Sequence, residues 1–268
     1  MEGVAKYEGY KLEKGSAAKV VDPLTIEQAL QINLNGKPFT VVMQTPGDEE
    51  DLARGLLFAE DVLPLSANPE VELIRNKNGL VEKINLAISE TEIGDGYLNQ
   101  RSLLSVSSCG ICGKQSLDDL PSPTNETPIK KTTTSWSTAD LFKLQEKAFA
   151  RQSNFQTTGG CHGAALFNKA GDILALKEDI GRHNAVDKLV GNLIRNNNLK
   201  EASVLIFSGR VSYEIVAKCF RAKIPIIMAV SAPSTLAIDF AKEYGITLLA
   251  FSRKGKTTCY ANCNRISP

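Results

Sequence analysis

Strand-like and helix-like stretches alternate along the second half of this 268-residue chain, and this alternation most constrains its fold. The central stretch, Val204-Leu205-Ile206-Phe207, is a continuous apolar run, which is typical of a strand buried on both faces. The predicted strands are 164–167, 173–176, 204–207, 226–230 and 247–251, and the predicted helices are 138–152, 184–195, 213–222 and 235–244. Strands that alternate with helices predict an α/β layer with parallel strands.

The first half is predicted to be a small strand-rich domain. Asn35-Gly36 and the segment 76–79 are turn signals between strand-like stretches, so two hairpins are expected. Between them, a short helix is predicted over 49–60 with Asp48 as its N-cap. The predicted fold class is therefore α/β (α+β overall). The predicted parts are an N-terminal α+β domain at 1–113, a proline-containing linker at 114–137 and an α/β domain at 138–268.

Composition and charge argue against several classes of function. A formal charge of +1 argues against nucleic acid as a partner, and no apolar run is long enough to cross a bilayer. The N-terminal sequence shows no signal-peptide core, so the chain is expected to be cytoplasmic, where thiols stay reduced. Its six cysteines are accordingly expected to be reactive, metal-bound or buried rather than a disulfide framework. Cys219, among apolar residues of a predicted helix, is expected to be a core thiol.

Two cysteines in a glycine frame form the most informative chemical motif, Ser107-Ser108-Cys109-Gly110-Ile111-Cys112-Gly113. A polar segment with prolines follows them, and the glycines let a bulky partner approach the sulfur atoms. Three uses of Cys109 and Cys112 stay open: a redox pair, a sulfur-carrying nucleophile, or half of a zinc site. The candidate ligands for the other half of a zinc site are Cys161, His162, Cys259 and Cys263.

Three polar or basic segments follow predicted strands, where α/β proteins commonly bind ligands. They are 208–212, which contains Arg210, 231–234, and 251–256, which has three cations beside a glycine. Because helix N-termini favour anions, three such segments together indicate an anionic ligand. The alternatives are a solvated basic loop and, at Ser234, an ordinary helix cap.

Two further segments have both a functional and a structural interpretation. The glycine-rich segment 157–163 suits either a bound ligand or a tight turn whose cysteine and histidine are packed. In the segment 178–184, Arg182 suits a phosphate or carboxylate, and His183 has the pKa range for acid–base chemistry. The structural alternative is that Asp179 and Asn184 satisfy backbone donors, with Arg182 paired to Asp179.

These motifs, in this order, resemble those of the formate dehydrogenase accessory sulfurtransferase family (FdhD). The resemblance spans about Ile32 to Phe251 and rests on the ordered set rather than on any single motif. The matching segments are 45–48, 107–113, 158–162, 178–188, 208–210 and 231–234. Cys259 and Cys263 are extra to the family pattern.

The resemblance implies a sulfur carrier that serves molybdenum or tungsten formate dehydrogenases. A cysteine desulfurase hands sulfur to Cys109 as a persulfide, Cys112 assists, and the sulfur passes to the metal of the bis(molybdopterin guanine dinucleotide) cofactor. The resemblance also implies a homodimer and a cytidine-deaminase-like C-terminal domain. The zinc signature of deaminases is absent from the sequence, so neither deamination nor a structural metal is expected.

By the same resemblance, the segment 251–256 matches the family's cofactor-binding segment, and its basic side chains are predicted to hold the cofactor's phosphates. The predicted cofactor-binding residues are Phe251, Ser252, Arg253, Lys254, Gly255, Lys256, Arg210, Arg182 and His183. Two other hypotheses stay open: a zinc-stabilised binding module, and a cofactor chaperone whose cysteines only dock a partner.

Overall fold

The computed structural model describes residues 3–94, 127–129 and 135–268, and it begins with a long β-hairpin. Strands β1 (Val4–Glu13) and β2 (Ser16–Thr25) pair antiparallel along ten residues each. The sequence analysis did not predict this hairpin, because charged and apolar residues share both faces and little of the ribbon is buried. Its base is held by a 2.7 Å hydrogen bond between the hydroxyls of Thr25 and Thr158.

The two hairpins predicted for the N-terminal region are confirmed, and they form one four-stranded sheet. The elements are β3 (Gln28–Leu34), β4 (Lys37–Gln44), α1 (Glu49–Ala59), β5 (Glu70–Arg75) and β6 (Val81–Ala87). The strand order is β4-β3-β6-β5, with β3 and β6 parallel and the two hairpin pairs antiparallel. Leu52 and Leu57 of α1 belong to the same buried cluster as Ile32 and Ile84 of the sheet, so the helix covers one of its faces.

The predicted N-caps of two helices are wrong in their details. Helix α1 begins where expected, but Asp48 adopts a left-handed backbone (φ 63°) and its side chain accepts no hydrogen bond from the helix. Its carboxylate pairs with Lys177 instead, in the second half of the chain. The helix predicted from Thr138 is capped one residue earlier, by Ser137, whose Oγ accepts a 3.0 Å hydrogen bond from the Asp140 N–H.

The second half builds a six-stranded sheet flanked by helices. Its elements up to α4 are β7 (Trp136–Ser137), α2 (Thr138–Phe149), α3 (Ser153–Thr158), β8 (His162–Phe167), β9 (Ile173–Asp179) and α4 (Arg182–Arg195). The remaining elements are β10 (Val204–Phe207), α5 (Tyr213–Arg221), β11 (Ile226–Ala229), α6 (Thr235–Glu243), β12 (Thr247–Arg253), β13 (Lys256–Ala261) and β14 (Ile266–Ser267). Strands β8 to β13 form the six-stranded sheet, and β7 and β14 pair with each other outside it. The mixed α/β fold class is confirmed, while the domain boundaries and the cytidine-deaminase-like character stay predictions.

The strand order of this sheet, β13-β12-β11-β10-β8-β9, is more mixed than expected. Only β10, β11 and β12 are parallel, and the other three strands of the sheet pair antiparallel. Parallel pairs arise where a helix crosses back over the sheet, as α5 and α6 do, whereas β8–β9 and β12–β13 are joined by short turns. The edge strands β9 and β13 are therefore antiparallel to their neighbours because short turns, rather than helices, connect them.

The position of β10 between two buried clusters explains why its sequence is apolar throughout. Leu205 and Phe207 belong to the buried cluster that includes α4, α5 and α6, whereas Val204 and Ile206 belong to the cluster on the α2 side. Each fully buried side chain of this size stabilises the fold by about 1.5–3 kcal/mol relative to an exposed one. The sheet is thus sandwiched between two apolar layers, as the continuous run predicted.

The expectations for Cys219, Cys259 and Cys263, and for membrane spans, can be compared with the structure. Cys259 and Cys263 form a disulfide, so the expectation of reactive, metal-bound or buried thiols is wrong for this pair. Cys219 is fully buried, which confirms its assignment to the core, and burial raises the pKa of its thiol. No helix in the described ranges is both long enough and apolar enough to span a membrane.

Helices α1 and α4 cross at two glycines, and this crossing joins the two sheets. A Cβ atom added at Gly55 would overlap the backbone of Asp187, and one added at Gly191 would overlap the backbone of Asp51. Beside the crossing, the buried Asp51 carboxylate is 2.8 Å from Arg195 Nε and 2.9 Å from Lys177 Nζ. Burial raises the pKa of Asp51, but hydrogen bonds from Arg195, Lys177 and Asn192 outweigh it and hold the pKa below its ordinary value.

We expect Gly191→Ala to lower the free energy of unfolding by about 1–3 kcal/mol, because the added methyl group would lie 1.9 Å from the carbonyl oxygen of Asp51 and force the two helices apart. Gly9→Ala is the matched control, since a Cβ there meets nothing within 4 Å. Urea denaturation of both variants checks this. Equal stability of the two variants would show that the helices do not cross this closely.

Candidate functional site

A cavity of about 720 Å³ opens at the carboxyl ends of β10 and β11. Ser208 follows β10, Val230 follows β11, and both line the cavity. Helices α2 and α3, the start of β8 and the β12–β13 turn supply the other walls. Ligand sites in proteins occupy about 300–1,000 Å³ and favour this end of parallel strands. The cavity is therefore the candidate functional site.

Helix α2 contributes one wall with side chains at helical spacing. Phe142, Gln145, Glu146 and Phe149 all line the cavity. Gln145 Nε2 donates a 3.0 Å hydrogen bond to the Ser252 carbonyl, which fixes the helix against the β12–β13 turn. The sequence analysis missed this wall, because the apolar stripe of α2 marks the opposite face as core and leaves these residues looking solvent-exposed.

The glycine-rich segment 157–163 forms a second wall. Gly159 ends α3 with a left-handed backbone (φ 67°), and Cys161 lies just beyond it. The Cys161 thiol donates a 3.4 Å hydrogen bond to Glu178 Oε1. Burial, followed by the charge of Glu178, raises the pKa of Cys161 to about 12. Cys161 is therefore a protonated, packed thiol, as the structural interpretation of this segment held, and it is a poor nucleophile at neutral pH.

His162 and Ser208 join the segment to the end of β10. Ser208 Oγ accepts a 2.9 Å hydrogen bond from the Gly163 N–H and lies 3.4 Å from His162 Nδ1. Burial lowers the pKa of His162, the charges of Arg182 and Arg210 lower it further, and the charge of Asp179 offsets only part of their effect. The two arginines therefore create a positive potential at this side of the cavity, which suits an anionic ligand.

The structure brings together part of the predicted cofactor-binding set. Ser252, Lys254 and Gly255 line the cavity. Phe251, Arg253 and Lys256 are exposed on the same β12–β13 segment but outside the lining, and Arg253 Nε donates to the Val230 carbonyl (3.1 Å). This segment, predicted only to follow the last strand of the sheet, is a tight turn between two antiparallel strands.

The remaining predicted residues lie around the cavity or away from it. Arg210 and Arg182 act on His162 through their charge and are not part of the lining. His183 is buried, and its Nε2 is 3.2 Å from Ser212 Oγ, on the side of α4 that faces α5. Ser234 caps α6, with its Oγ accepting a 3.2 Å bond from the Ala237 N–H, which confirms the structural alternative for that segment.

The segment 178–188 is largely a structural joint. The Asp179 carboxylate is fully buried, accepts hydrogen bonds from the backbone N–H groups of Gly181 (2.7 Å) and Thr45 (3.0 Å), and pairs with Lys188 Nζ (2.8 Å). Lys188 Nζ also donates to the Thr45 carbonyl (2.6 Å). Asp179 does satisfy backbone donors, but its cationic partner is Lys188 and not Arg182, so that part of the structural alternative is wrong.

Cys109 and Cys112, the predicted catalytic residues, lie outside the described residues. Among the residues that the structure does describe, no group of three or more His, Cys, Asp or Glu side chains is placed to hold a metal ion. Cys259 and Cys263 are joined to each other, and Cys161 faces Glu178. Of the candidate ligands for a second half of a zinc site, Cys259 and Cys263 are therefore occupied by their disulfide.

We expect Lys188→Met to lower the free energy of unfolding by about 3–5 kcal/mol, because it leaves the Asp179 carboxylate charged, buried and without a cation. Lys143→Met is the control, since Lys143 pairs with Asp140 on an exposed helix face and its loss should not measurably change stability. Chemical denaturation of the two variants measures both effects. A loss below about 1 kcal/mol for Lys188→Met would contradict this account of the joint.

Binding of a diphosphate in the cavity should raise the pKa of His162. In the free protein, burial and the charges of Arg182 and Arg210 lower that pKa, and a bound anion offsets the arginine charges. By linkage, affinity should increase as the pH falls through the titration of His162. NMR titration of the His162 ring with and without pyrophosphate tests this. An unchanged or lower pKa at saturation would contradict it.

Comparisons with known proteins place the chain in a family. Residues 25–267 match the FdhD/NarQ family model. The "Sulfur carrier protein FdhD" of Streptomyces coelicolor is 38% identical to this chain, and the match covers 96% of this chain and 93% of that protein. The protein of the same name from Sulfolobus acidocaldarius is 36% identical, and the match covers 96% of both chains. A solved structure from Desulfotalea psychrophila, described as a formate dehydrogenase accessory protein, has the same fold, with a TM-score of 0.76, 23% identity and coverage of 98% and 99%. The chain therefore belongs to the FdhD/NarQ family.

Proposed function

We propose that this protein is a sulfur carrier that serves a formate dehydrogenase. The observation that carries the proposal is the 38% identity with a sulfur carrier protein along 96% of the chain. The motif Cys109-Gly110-Ile111-Cys112 supplies two thiols suited to carry sulfur. The described thiols are unsuited to that role, because Cys161 and Cys219 are buried and burial raises the pKa of both.

In the loading step, the Cys109 thiolate attacks the terminal sulfur of a persulfide carried by a cysteine desulfurase. The new bond joins Cys109 Sγ to that sulfur, and the S–S bond of the donor breaks. The desulfurase cysteine leaves as a thiolate with the electron pair, so the step needs no oxidant or reductant. Cys109 is thereby left with a persulfide.

In the release step, Cys112 assists by one of two routes. It accepts the terminal sulfur from Cys109, or its thiolate attacks the inner sulfur of the Cys109 persulfide. The second route forms a Cys109–Cys112 disulfide and expels hydrosulfide with the electron pair, and a dithiol reductant must then restore both thiols. The sulfur acceptor is the molybdenum or tungsten ion of the dehydrogenase's bis(molybdopterin guanine dinucleotide) cofactor.

The cavity is proposed to hold a part of that client cofactor. Its volume of about 720 Å³ suits one heterocycle with its phosphates rather than the whole bis-dinucleotide. Lys254 and the Gly255 backbone lie at one side, and the charges of Arg182 and Arg210 reach His162 at another. These groups would neutralise a diphosphate, while the aromatic side chains of α2 and α3 would contact a ring. The proposal also includes a homodimer in the cytoplasm.

Incubation with a cysteine desulfurase and cysteine should add one sulfur atom to Cys109 or Cys112, detectable by mass spectrometry of the intact protein and its peptides. Cys161→Ser is the matched control and should load as the natural protein does, because its thiol is buried and protonated. Absence of added sulfur on either cysteine, with an active desulfurase, would sink the sulfur-carrier proposal.

A further inference from the structure

One side chain of the cavity wall is buried yet has hydrogen-bonding capacity to spare. Gln152 lies at the N-cap position of α3, is 7% exposed and lines the cavity. Its backbone N–H and carbonyl are bonded to Phe149 and Gln156, but its carboxamide has no hydrogen-bond partner within the described residues. The carboxamide atoms of Gln152 are open to the cavity rather than sealed off from it, so they can bond to a ligand that enters.

The position of the Gln152 carboxamide is set by packing. It lies over Gly163, where an added Cβ would be 2.5 Å from Gln152 Cδ, 2.7 Å from Nε2 and 2.9 Å from Oε1. The backbone of Gly163 is itself held, since its N–H bonds to Ser208 Oγ (2.9 Å) and its carbonyl accepts from the Ser208 N–H (3.0 Å). Because Gly163 of β8 has no side chain, it makes room for the Gln152 carboxamide. The N–H donors and the oxygen acceptor of that carboxamide stay free for other bonds.

The same wall carries an acceptor and aromatic surfaces. Glu146 of α2 is exposed at the edge of the cavity, and its carboxylate has no hydrogen-bond or ion-pair partner within the described ranges, so it is free to accept a bond from a ligand. Phe149 and Phe155 meet edge to face at a centroid distance of 6.1 Å, and both line the cavity. The wall thus combines a carboxamide, a carboxylate and aromatic rings, and Lys254 of the β12–β13 turn lines the same cavity. This combination suits a flat heterocycle with hydrogen-bonding groups along one edge.

We propose that Gln152 and Glu146 read the 2-amino-4-oxopyrimidine edge that guanine and pterin share. Gln152 donates to the ring carbonyl and accepts from the adjacent ring N–H, and Glu146 accepts from the exocyclic amino group. Adenine can still pair with a turned-over carboxamide, but it presents a C–H to Glu146. The carboxylate therefore discriminates between the rings, whereas the carboxamide contributes to the affinity for either. This inference rests on the proposed binding of the client cofactor and assigns its ring-specific contacts.

The test is calorimetric binding of GDP, ADP and 6-hydroxymethylpterin to the full-length protein and its variants. Gln152→Ala should weaken GDP or pterin binding at least about tenfold, as loss of hydrogen bonds from a buried site does. Gly163→Ala should weaken binding in the same way, because its methyl group displaces the carboxamide. Glu146→Gln should lower the preference for GDP over ADP. Gln156→Ala, an exposed glutamine one turn along α3 and outside the lining, should bind like the natural protein.

The two ligands distinguish the guanine end of the cofactor from its pterin end. The variants test the ring-specific contacts separately from the proposed cofactor site. Gln152-dependent binding of GDP indicates the guanine end of the cofactor, and Gln152-dependent binding of the pterin indicates the pterin end. If the natural protein binds neither, both the cofactor site and this inference fail. If it binds either one but Gln152→Ala and Gly163→Ala retain full affinity and Glu146→Gln retains selectivity, this inference alone is overturned.

Discussion

The buried ion pair between Asp179 and Lys188 is the contact on which the arrangement of this protein depends. It lies where β9 turns into α4, and both side chains also bond to the backbone of Thr45, at the end of the N-terminal sheet. Two charges this deeply buried must pair, because either one alone would be an uncompensated charge in the interior. The crossing of α1 and α4 at Gly55 and Gly191 adds a second constraint, and together they fix the N-terminal sheet on the larger one.

The joint also positions the cavity, because neighbouring residues of a strand point to opposite faces. Asp179 faces the N-terminal sheet, whereas Glu178 faces α3 and accepts hydrogen bonds from the N–H groups of Asn154 (3.0 Å) and Phe155 (2.8 Å). Glu178 therefore anchors the start of α3, where Gln152 enters the cavity. A segment whose charged residues look catalytic in the sequence thus serves mainly to hold the cavity wall in place.

The sequence predicted most elements wherever a local signal existed. Asn35-Gly36 specified a hairpin, and the apolar run Val204–Phe207 specified a central strand. The cavity was only half predicted: the turn with Ser252, Lys254 and Gly255 was found from its charges, while Gln152 carries no sequence signal, because its role depends on Gly163 from another strand. His183 was predicted to bind the cofactor, but helix geometry turns it toward Ser212. The Cys259–Cys263 bridge depends on backbone geometry that spacing alone does not reveal.

The central claim of this account is that this member of the FdhD/NarQ family carries sulfur and does not merely chaperone a cofactor. The most direct measurement is formate dehydrogenase activity in cells whose only copy of this protein is the Cys109→Ala, Cys112→Ala double variant. The account predicts loss of dehydrogenase activity, although the purified variant, whose cavity residues are unchanged, still binds its ligand. Full dehydrogenase activity would contradict sulfur transfer and favour a chaperone whose cysteines only dock a partner.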